Sequence, residues 1–268
     1  MAFLLDKLEG LQAWLDFEGA TSPAFADENG AGRHGIAGLA IGCIFGFSSC
    51  ILLLGASAGL PTPVLQWFIF MFFLCIFHAG EWYVTAAYRP KELAYKSWII
   101  NHSVPYTAVQ LASAMEFWLE NLLLPWLKGK WWLMAPSILL ALASITIRVV
   151  GMAQCGENFD HIVMTRRKEG HQLVTEGIYA FLRHPAYFGF YYWSVASQLL
   201  LGNPLMALAC AIISRSFFAD RIPPEEQVLV NIYGEEYTSF AQHTPILIPF
   251  VQGYVPYVGR RRAGRHDR

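Results

Sequence analysis

Apolar residues run along this chain in long blocks, with polar residues gathered between them. About 20 apolar residues let a helix cross the hydrocarbon core of a membrane. Four blocks reach that length: Gly35–Ala58, Val64–Tyr88, Val104–Leu124 and Trp131–Val150. Two shorter ones, Pro185–Leu201 and Leu205–Ala219, are joined by the tight turn "GNP" at Gly202–Pro204. They predict a helical hairpin that tilts or stops short of a full crossing. Near the start, Leu4, Leu5, Leu8, Leu11 and Leu15 recur at helical spacing, as in an amphipathic helix lying on a membrane surface. From Ile222 onward the pattern turns polar and mixed. The chain is expected to leave the membrane there and to resume as a second, proline-started helix at "DRIPPEEQVL". The expected fold is all-α, a polytopic integral membrane protein. It divides into a surface segment (1–34), transmembrane helices (35–150) and a C-terminal region (151–268) holding a polar loop, the hairpin, and a final helix and tail.

Composition sharpens this picture. Hydrophobic residues make up 55% of the 268 and charged residues 15%, well under the roughly 25% charge of an ordinary soluble domain. Charge so sparse excludes the soluble class and makes nucleic acid an unexpected partner. The basic residues are one-sided. Arg89, Lys91 and Lys96 follow the second block, Arg166, Arg167 and Lys168 follow the fourth, and Arg260, Arg261 and Arg262 lie in the tail. Lys128 and Lys130 fall on the opposite side. Six crossings with both termini cytosolic satisfy the positive-inside rule, and the "NHS" sequon at Asn101 would then stay unglycosylated. The N-terminus lacks the basic start and long apolar core of a cleavable signal. Five cysteines (43, 50, 75, 155 and 210) make no CxxC or metal spacing. They are expected to be small buried hydrophobes, with neither a disulfide framework nor a metal site.

Ionisable groups at His78, Glu81, Glu116, Glu120, Arg148 and Arg215 interrupt the apolar blocks. Such groups are costly in hydrocarbon and face a bundle interior or a cavity. For His78, Glu81, Glu116 and Glu120 the simpler reading is bonding between helices. Arg148 ends the fourth block, where it could instead reach an anionic ligand at the membrane surface.

The fifth block opens with "RHPAY". Pro185 suits a first helical turn, where its missing N–H costs nothing, and the amides of that turn with the helix dipole favour an anion. Arg183 and His184 lie beside it, with Tyr179 and Tyr187 as aromatic faces. Upstream, "GHQLVTEGIY" is a polar loop in which Gly170 and Gly177 let the chain fold back. Downstream come Asp220, Arg221, Glu225 and Glu226. The two segments bracket the hairpin and meet at one membrane face, which suits a zwitterionic, nucleotide-like ligand.

"LVTEGIYAFLRHPAYFGFYYW" followed by "FFADRIPPEEQVLVNIYGEEYTSF" resembles the isoprenylcysteine carboxyl methyltransferases of the endoplasmic reticulum. The likeness extends back through "CGENFDHIV" and "FHAGEWYVTA…RPKEL…INHSVPYT…EFWLENLLLPWLK" and covers residues 77–250. It implies six to eight transmembrane helices in the endoplasmic reticulum membrane, with the active site and both termini cytosolic. Carried over position by position, it places S-adenosylmethionine contacts on His171, Gln172, Leu173, Val174, Tyr179, His184, Pro185, Ala186, Tyr187 and Glu225. A further contact falls on Met164, where relatives carry a polar residue such as glutamine. The partner of the substrate carboxylate falls on Arg221, in a catalytic and substrate-binding role.

The implied reaction moves a methyl group from S-adenosylmethionine to the α-carboxylate of a C-terminal S-farnesyl or S-geranylgeranyl cysteine. The implied partners are prenylated CaaX proteins, such as small GTPases and lamins, and membrane lipid. Two rival enzymes share parts of the pattern: a phospholipid N-methyltransferase with the RHPxY element, and an NADPH-dependent sterol or steroid reductase. The reductases resemble "RHPNYxGE", whereas this chain has Ala186 and Phe190 at the variable points. A non-catalytic scaffold or channel is opposed by polar clusters that gather at one face rather than along a central path.

Overall fold

Each of the six apolar blocks becomes a helix in the computed structural model, which describes residues 20–27, 29–100, 103–159 and 172–254 together with Glu9. The helices are α1 (Ala31–Gly55), α2 (Thr62–Tyr88), α3 (Val104–Leu123), α4 (Trp131–Cys155), α5 (Pro185–Leu201) and α6 (Pro204–Tyr233), followed by the short α7 (Glu235–His243). No strand occurs among the described residues. Prolines open several of these helices where their missing N–H is harmless: Pro185 starts α5 and Pro204 starts α6. The "GNP" turn is tight, as expected, because Gly202 takes the left-handed conformation that closes α5. The proposed surface helix at Leu4–Leu15, the Asn101 sequon, Met164, His171, Arg166–Lys168 and Arg260–Arg262 lie outside the described residues.

Burial is inverted relative to a soluble protein. Large apolar side chains such as Leu53 (78% exposed) and Trp132 (76%) face outward, while Glu81, Arg148, Gln66 and Glu226 are buried. This is the arrangement of a membrane protein, in which lipid covers the apolar exterior. Among the described residues, α1, α2 and α4 (with the turn that follows it) are long and apolar enough to cross a membrane. The third block departs from expectation: α3 has the length, but it carries Glu116 and Glu120.

Helices α2, α3, α4 and α5 share one core, built from Phe70, Phe73 and Phe77, Phe117, Met134 and Ile145, and Trp193 and Leu200. Helix α4 lies closely along α5 because Gly189 has no side chain. A Cβ there would stand 2.6 Å from both Arg148 Cβ and Ser144 O, so this crossing depends on a small residue.

Two expectations fail. The sixth block is not a short arm followed by a separate proline-started helix, since α6 runs unbroken for 30 residues through Pro223 and Pro224. A proline interrupts a helix by one missing donor and a ring clash, and here neighbouring contacts hold the rod together. Cys43 and Cys50 are exposed rather than buried, because they sit on the outward side of α1.

The charged interruptions bond helix to helix. Glu116 accepts from the amides of Leu205 and Met206, each at 2.8 Å, and so closes the start of α6. Lys128 reaches Glu120 (2.8 Å), Leu201 O (3.1 Å), Gly202 O (2.8 Å) and Asn203 Oδ1 (2.8 Å), closing the end of α5. His78 donates from Nδ1 to Trp98 O at 2.9 Å. Arg148 does not end its helix, which continues two turns to Cys155, and it is only 6% exposed. Its Nε and Nη2 hold both oxygens of Glu81 and its Nη1 donates to Ala186 O at 2.9 Å. Arg148 is therefore tied to protein groups and does not stand at the surface awaiting an anion.

Candidate active site

At the end opposite Lys128, the first turn of α5 meets the second half of α6. A cleft there is lined by Gln172, Leu173 and Val174 from the polar loop, Tyr179 from the turn Gly177–Ala180, and Arg183 through Tyr187. Glu225, Val228, Leu229 and Tyr233 of α6, and Tyr237 and Phe240 of α7, form the other wall, with Cys155, Asn158 and Phe159 behind. The structure thus brings together every assigned cofactor residue that it describes. Arg221 is not in the lining but stands next to it.

Each wall is positioned by bonds to its neighbours. Asn158 Oδ1 accepts from the amide of Gln172 at 3.0 Å, and Gln154 Oε1 from the amide of Ile178 at 2.8 Å, so the end of α4 and the turn that follows it anchor both ends of the described loop. The phenol of Tyr179 donates to Gly151 O at 3.1 Å. Burial holds its pKa well above the usual phenol value, so it acts as a neutral donor. Arg89 donates to Phe159 O at 3.0 Å, fixing the back wall.

The centre is a compact polar cluster. Tyr187 donates from its hydroxyl to Glu225 Oε2 at 2.6 Å and accepts from Arg221 Nε at 2.8 Å. Its ring stacks on His184 (centroids 5.4 Å apart, 7° between planes) and on Phe218 (5.0 Å, 28°). That ring is thus packed between two neighbours while it lines the cleft. Beneath lies Glu226, at 0% exposure. Its carboxylate meets His184 Nε2 at 2.9 Å, Arg183 Nη1 at 3.1 Å and the amide of Tyr254 at 2.7 Å. Desolvation alone would raise the Glu226 pKa, but the hydrogen bond and charge of His184, with Arg183 and the Tyr254 amide, outweigh it and hold the carboxyl low.

Two consequences follow. His184 turns its Nε2 to Glu226 and its Nδ1 toward Glu225 at 3.7 Å, so its ring stands between carboxylates. Arg183, in the cleft wall, keeps its Nε–H buried and without a hydrogen-bond partner among the described residues. An unpartnered buried donor is costly. Glu226, Tyr233, Tyr237 and Phe240 were not assigned to the site from sequence. A signal for part of this wall was present, because Arg221, Glu225, Val228/Leu229 and Tyr233 recur at the spacing of one helix face.

The profile of the "Isoprenylcysteine carboxyl methyltransferase (ICMT) family" matches residues 137–231. The rat protein-S-isoprenylcysteine O-methyltransferase is 38% identical over 79% of this chain and 74% of its own length. The human protein of the same name is 36% identical over 79% and 74%, and that of Saccharomyces cerevisiae is 32% identical over 75% and 87%. The solved structure of the eukaryotic intramembrane Ras methyltransferase, without a monobody, superposes with a TM-score of 0.78 at 29% identity, covering 95% of this chain and 86% of that one. Similarity at 32–38% identity over three quarters of the chain or more shows that the chain belongs to the isoprenylcysteine carboxyl methyltransferase family.

Proposed function

We propose that the protein methylates the α-carboxylate of a C-terminal S-farnesyl or S-geranylgeranyl cysteine, with S-adenosylmethionine as donor. One observation carries this reading. Residues assigned to the cofactor come from separate stretches of sequence yet line one cleft, and Arg221, assigned to the acceptor, is bonded to that lining through Tyr187.

The cleft's chemistry fits the donor. Arg183 lines the cleft, and the first turn of α5 adds its amides and dipole; together they suit a carboxylate. Glu225 suits the amino or ribose side, and Tyr179, Phe159 and Tyr233 suit adenine or a cation near aromatic faces. Once bound, S-adenosylmethionine would supply a methyl group on a cationic sulfonium. The acceptor requires no general base, since an α-carboxylate with a pKa near ~3.5 is already ionised. Arg221 orients that carboxylate through its planar guanidinium. Reaction between an anion and a cation neutralises both, so the apolar walls favour it by keeping water away.

The membrane accounts for the acceptor. A prenyl chain gains about 0.8 kcal/mol per buried CH₂, so it arrives from lipid while the donor arrives from water. We place the cleft at the cytosolic face of the endoplasmic reticulum membrane, with six crossings and both termini cytosolic. Prenylated CaaX proteins, small GTPases and lamins among them, are the acceptors.

The test uses purified protein and labelled S-adenosylmethionine, with N-acetyl-S-farnesylcysteine compared with phosphatidylethanolamine. Methylation of the lipid amine alone, or binding of NADPH in place of S-adenosylmethionine, overturns the reading. Within it, Arg221→Lys keeps the charge but loses the two-point grip. Turnover falls by about tenfold or more, the scale of a charged hydrogen bond, while S-adenosylhomocysteine affinity survives. Loss of S-adenosylhomocysteine binding with prenylcysteine binding intact would move Arg221 to the cofactor.

A further inference from the structure

Beyond α7 the chain doubles back as an irregular strap, residues 244–254, with a turn at 248–251, and packs along α5 and α6. Thr244, Ile246, Ile248 and Val251 are buried, and the three aliphatic ones pack with Tyr191, Phe218 and Ile222. Side chains and backbone of the cleft wall, α5 and α6 hold it at intervals. The amide of Arg183 donates to Pro245 O at 3.0 Å. Tyr192 donates to Leu247 O at 3.1 Å and Arg215 to Phe250 O at 2.9 Å. Leu247 and Phe250 both sit at φ 57°, a left-handed conformation that branched and bulky residues adopt only when surrounding contacts impose it. Each is pinned at its own carbonyl.

The last tie is the tightest. The amide of Tyr254 donates to Glu226 Oε2 at 2.7 Å, the same carboxylate that holds Arg183 and His184 of the cleft wall. The residue before it must be glycine. A Cβ on Gly253 would stand 2.8 Å from Arg183 Nη1 and closer still to Glu226 Oε2. One fully buried anion therefore serves two masters: the wall of the cleft and the far end of the strap.

We infer that the strap is a working part of the donor site, latched through Glu226, and that Glu226 is a positioning residue for Arg183 and His184. This rests on the reading of the cleft as the S-adenosylmethionine site. Closing the latch holds the start of α5 in register with α6, and it acts on the donor half of the site. Among the described residues, Arg221 itself has no bond to Glu226; it is held by Tyr187, which also bonds Glu225.

The experiment uses the full-length protein in detergent, as wild type, Gly253→Ala, Glu226→Gln and the double variant. Gly253→Ala is expected to weaken S-adenosylhomocysteine by about tenfold or more, the scale of one charged hydrogen bond, and to raise KM for S-adenosylmethionine. KM for N-acetyl-S-farnesylcysteine stays within twofold. The double variant is no worse than the poorer single one, because both act through one contact. Hydrogen exchange gives a readout that needs no ligand: in Gly253→Ala the hydrogen-bonded amides of Arg183 and Tyr187 exchange faster. Unchanged exchange there overturns the latch, whether or not the cleft binds the donor. Faster exchange with unaltered donor affinity, or strictly additive losses in the double variant, removes the strap from the donor site. Failure of wild type to bind S-adenosylhomocysteine overturns the function proposed for the cleft and leaves the exchange result to decide the latch.

Discussion

Removing Glu81 is the most direct test of how the first turn of α5 is held. Its carboxylate, 1% exposed, takes Nε and Nη2 of Arg148, whose remaining nitrogen donates to Ala186 O. Phe77 and Phe190 flank the guanidinium, with ring centroids 5.8 and 5.1 Å from its carbon. Glu81→Leu leaves a buried cation with aromatic neighbours and one carbonyl. Breaking a buried pair at one partner costs about 3–5 kcal/mol, which agrees with two charged hydrogen bonds at about 1.5–3 kcal/mol each. For a chain of this size each kcal/mol moves Tm by about 2–4 °C, so a fall on the order of 10 °C is expected. Tryptophan fluorescence during thermal unfolding in detergent reads it. The double variant Glu81→Leu/Arg148→Met should recover most of the loss, because an apolar pair of similar volume can replace a buried ion pair. It should not recover activity, since the Ala186 carbonyl remains without its donor. A Tm equal to wild type in Glu81→Leu refutes the energetic argument, and full turnover in the double variant refutes the positioning one.

Three shorter tests address other parts of the molecule. Lys128→Met strips the end of α5 of its donor and leaves Glu120 unpaired. Tm should drop while KM for S-adenosylmethionine stays near wild type, because the 17-residue α5 separates the two ends by about 25 Å. Glu225→Gln should weaken S-adenosylhomocysteine in isothermal titration without a matching loss of Tm, since Glu225 is part of the cleft lining and bonds Tyr187. Acid sensitivity should trace to Glu226. Its folded pKa lies below its unfolded one, so its contribution is complete above the ordinary carboxylate range of about 4.3 and is lost as pH falls through the lower folded value. Glu226→Gln should flatten that acid limb of a Tm-against-pH curve.

Helix positions were legible because the signal is large: apolar blocks of this length and composition have few soluble alternatives. Their ends were less so. The α6 break expected at Asp220–Pro224 rests on a sound local rule, that proline removes a donor and clashes with the preceding turn. The rule lost because α6 is held from both sides by α5 and by the strap, which supply what local sequence cannot announce. Arg148 was misplaced for a related reason. An arginine at the end of an apolar block looks like a membrane-surface residue until its partner Glu81, 67 positions away, is known to face it.

The site shows the same division between what is local and what is not. Motif positions from Gln172 to Tyr187 fall within one short stretch, and resemblance carries them together. Glu225 and Glu226 are adjacent, however, and no composition or spacing rule ranks one above the other. The helix separates them. Successive residues point about 100° apart at 3.6 residues per turn, so one carboxylate reaches Tyr187 in the cleft lining while its neighbour turns inward to the base of the site. Their chemistry diverges accordingly. Glu225 keeps 22% of its side chain exposed and remains available to a ligand, whereas Glu226 is fully enclosed and committed to Arg183, His184 and the Tyr254 amide. The decisive partner of Glu226 lies in the strap, 28 residues further on, in a short proline-broken apolar stretch with no helical periodicity to mark it. Which of two identical residues binds and which one builds is thus settled by where a distant glycine allows the backbone to come.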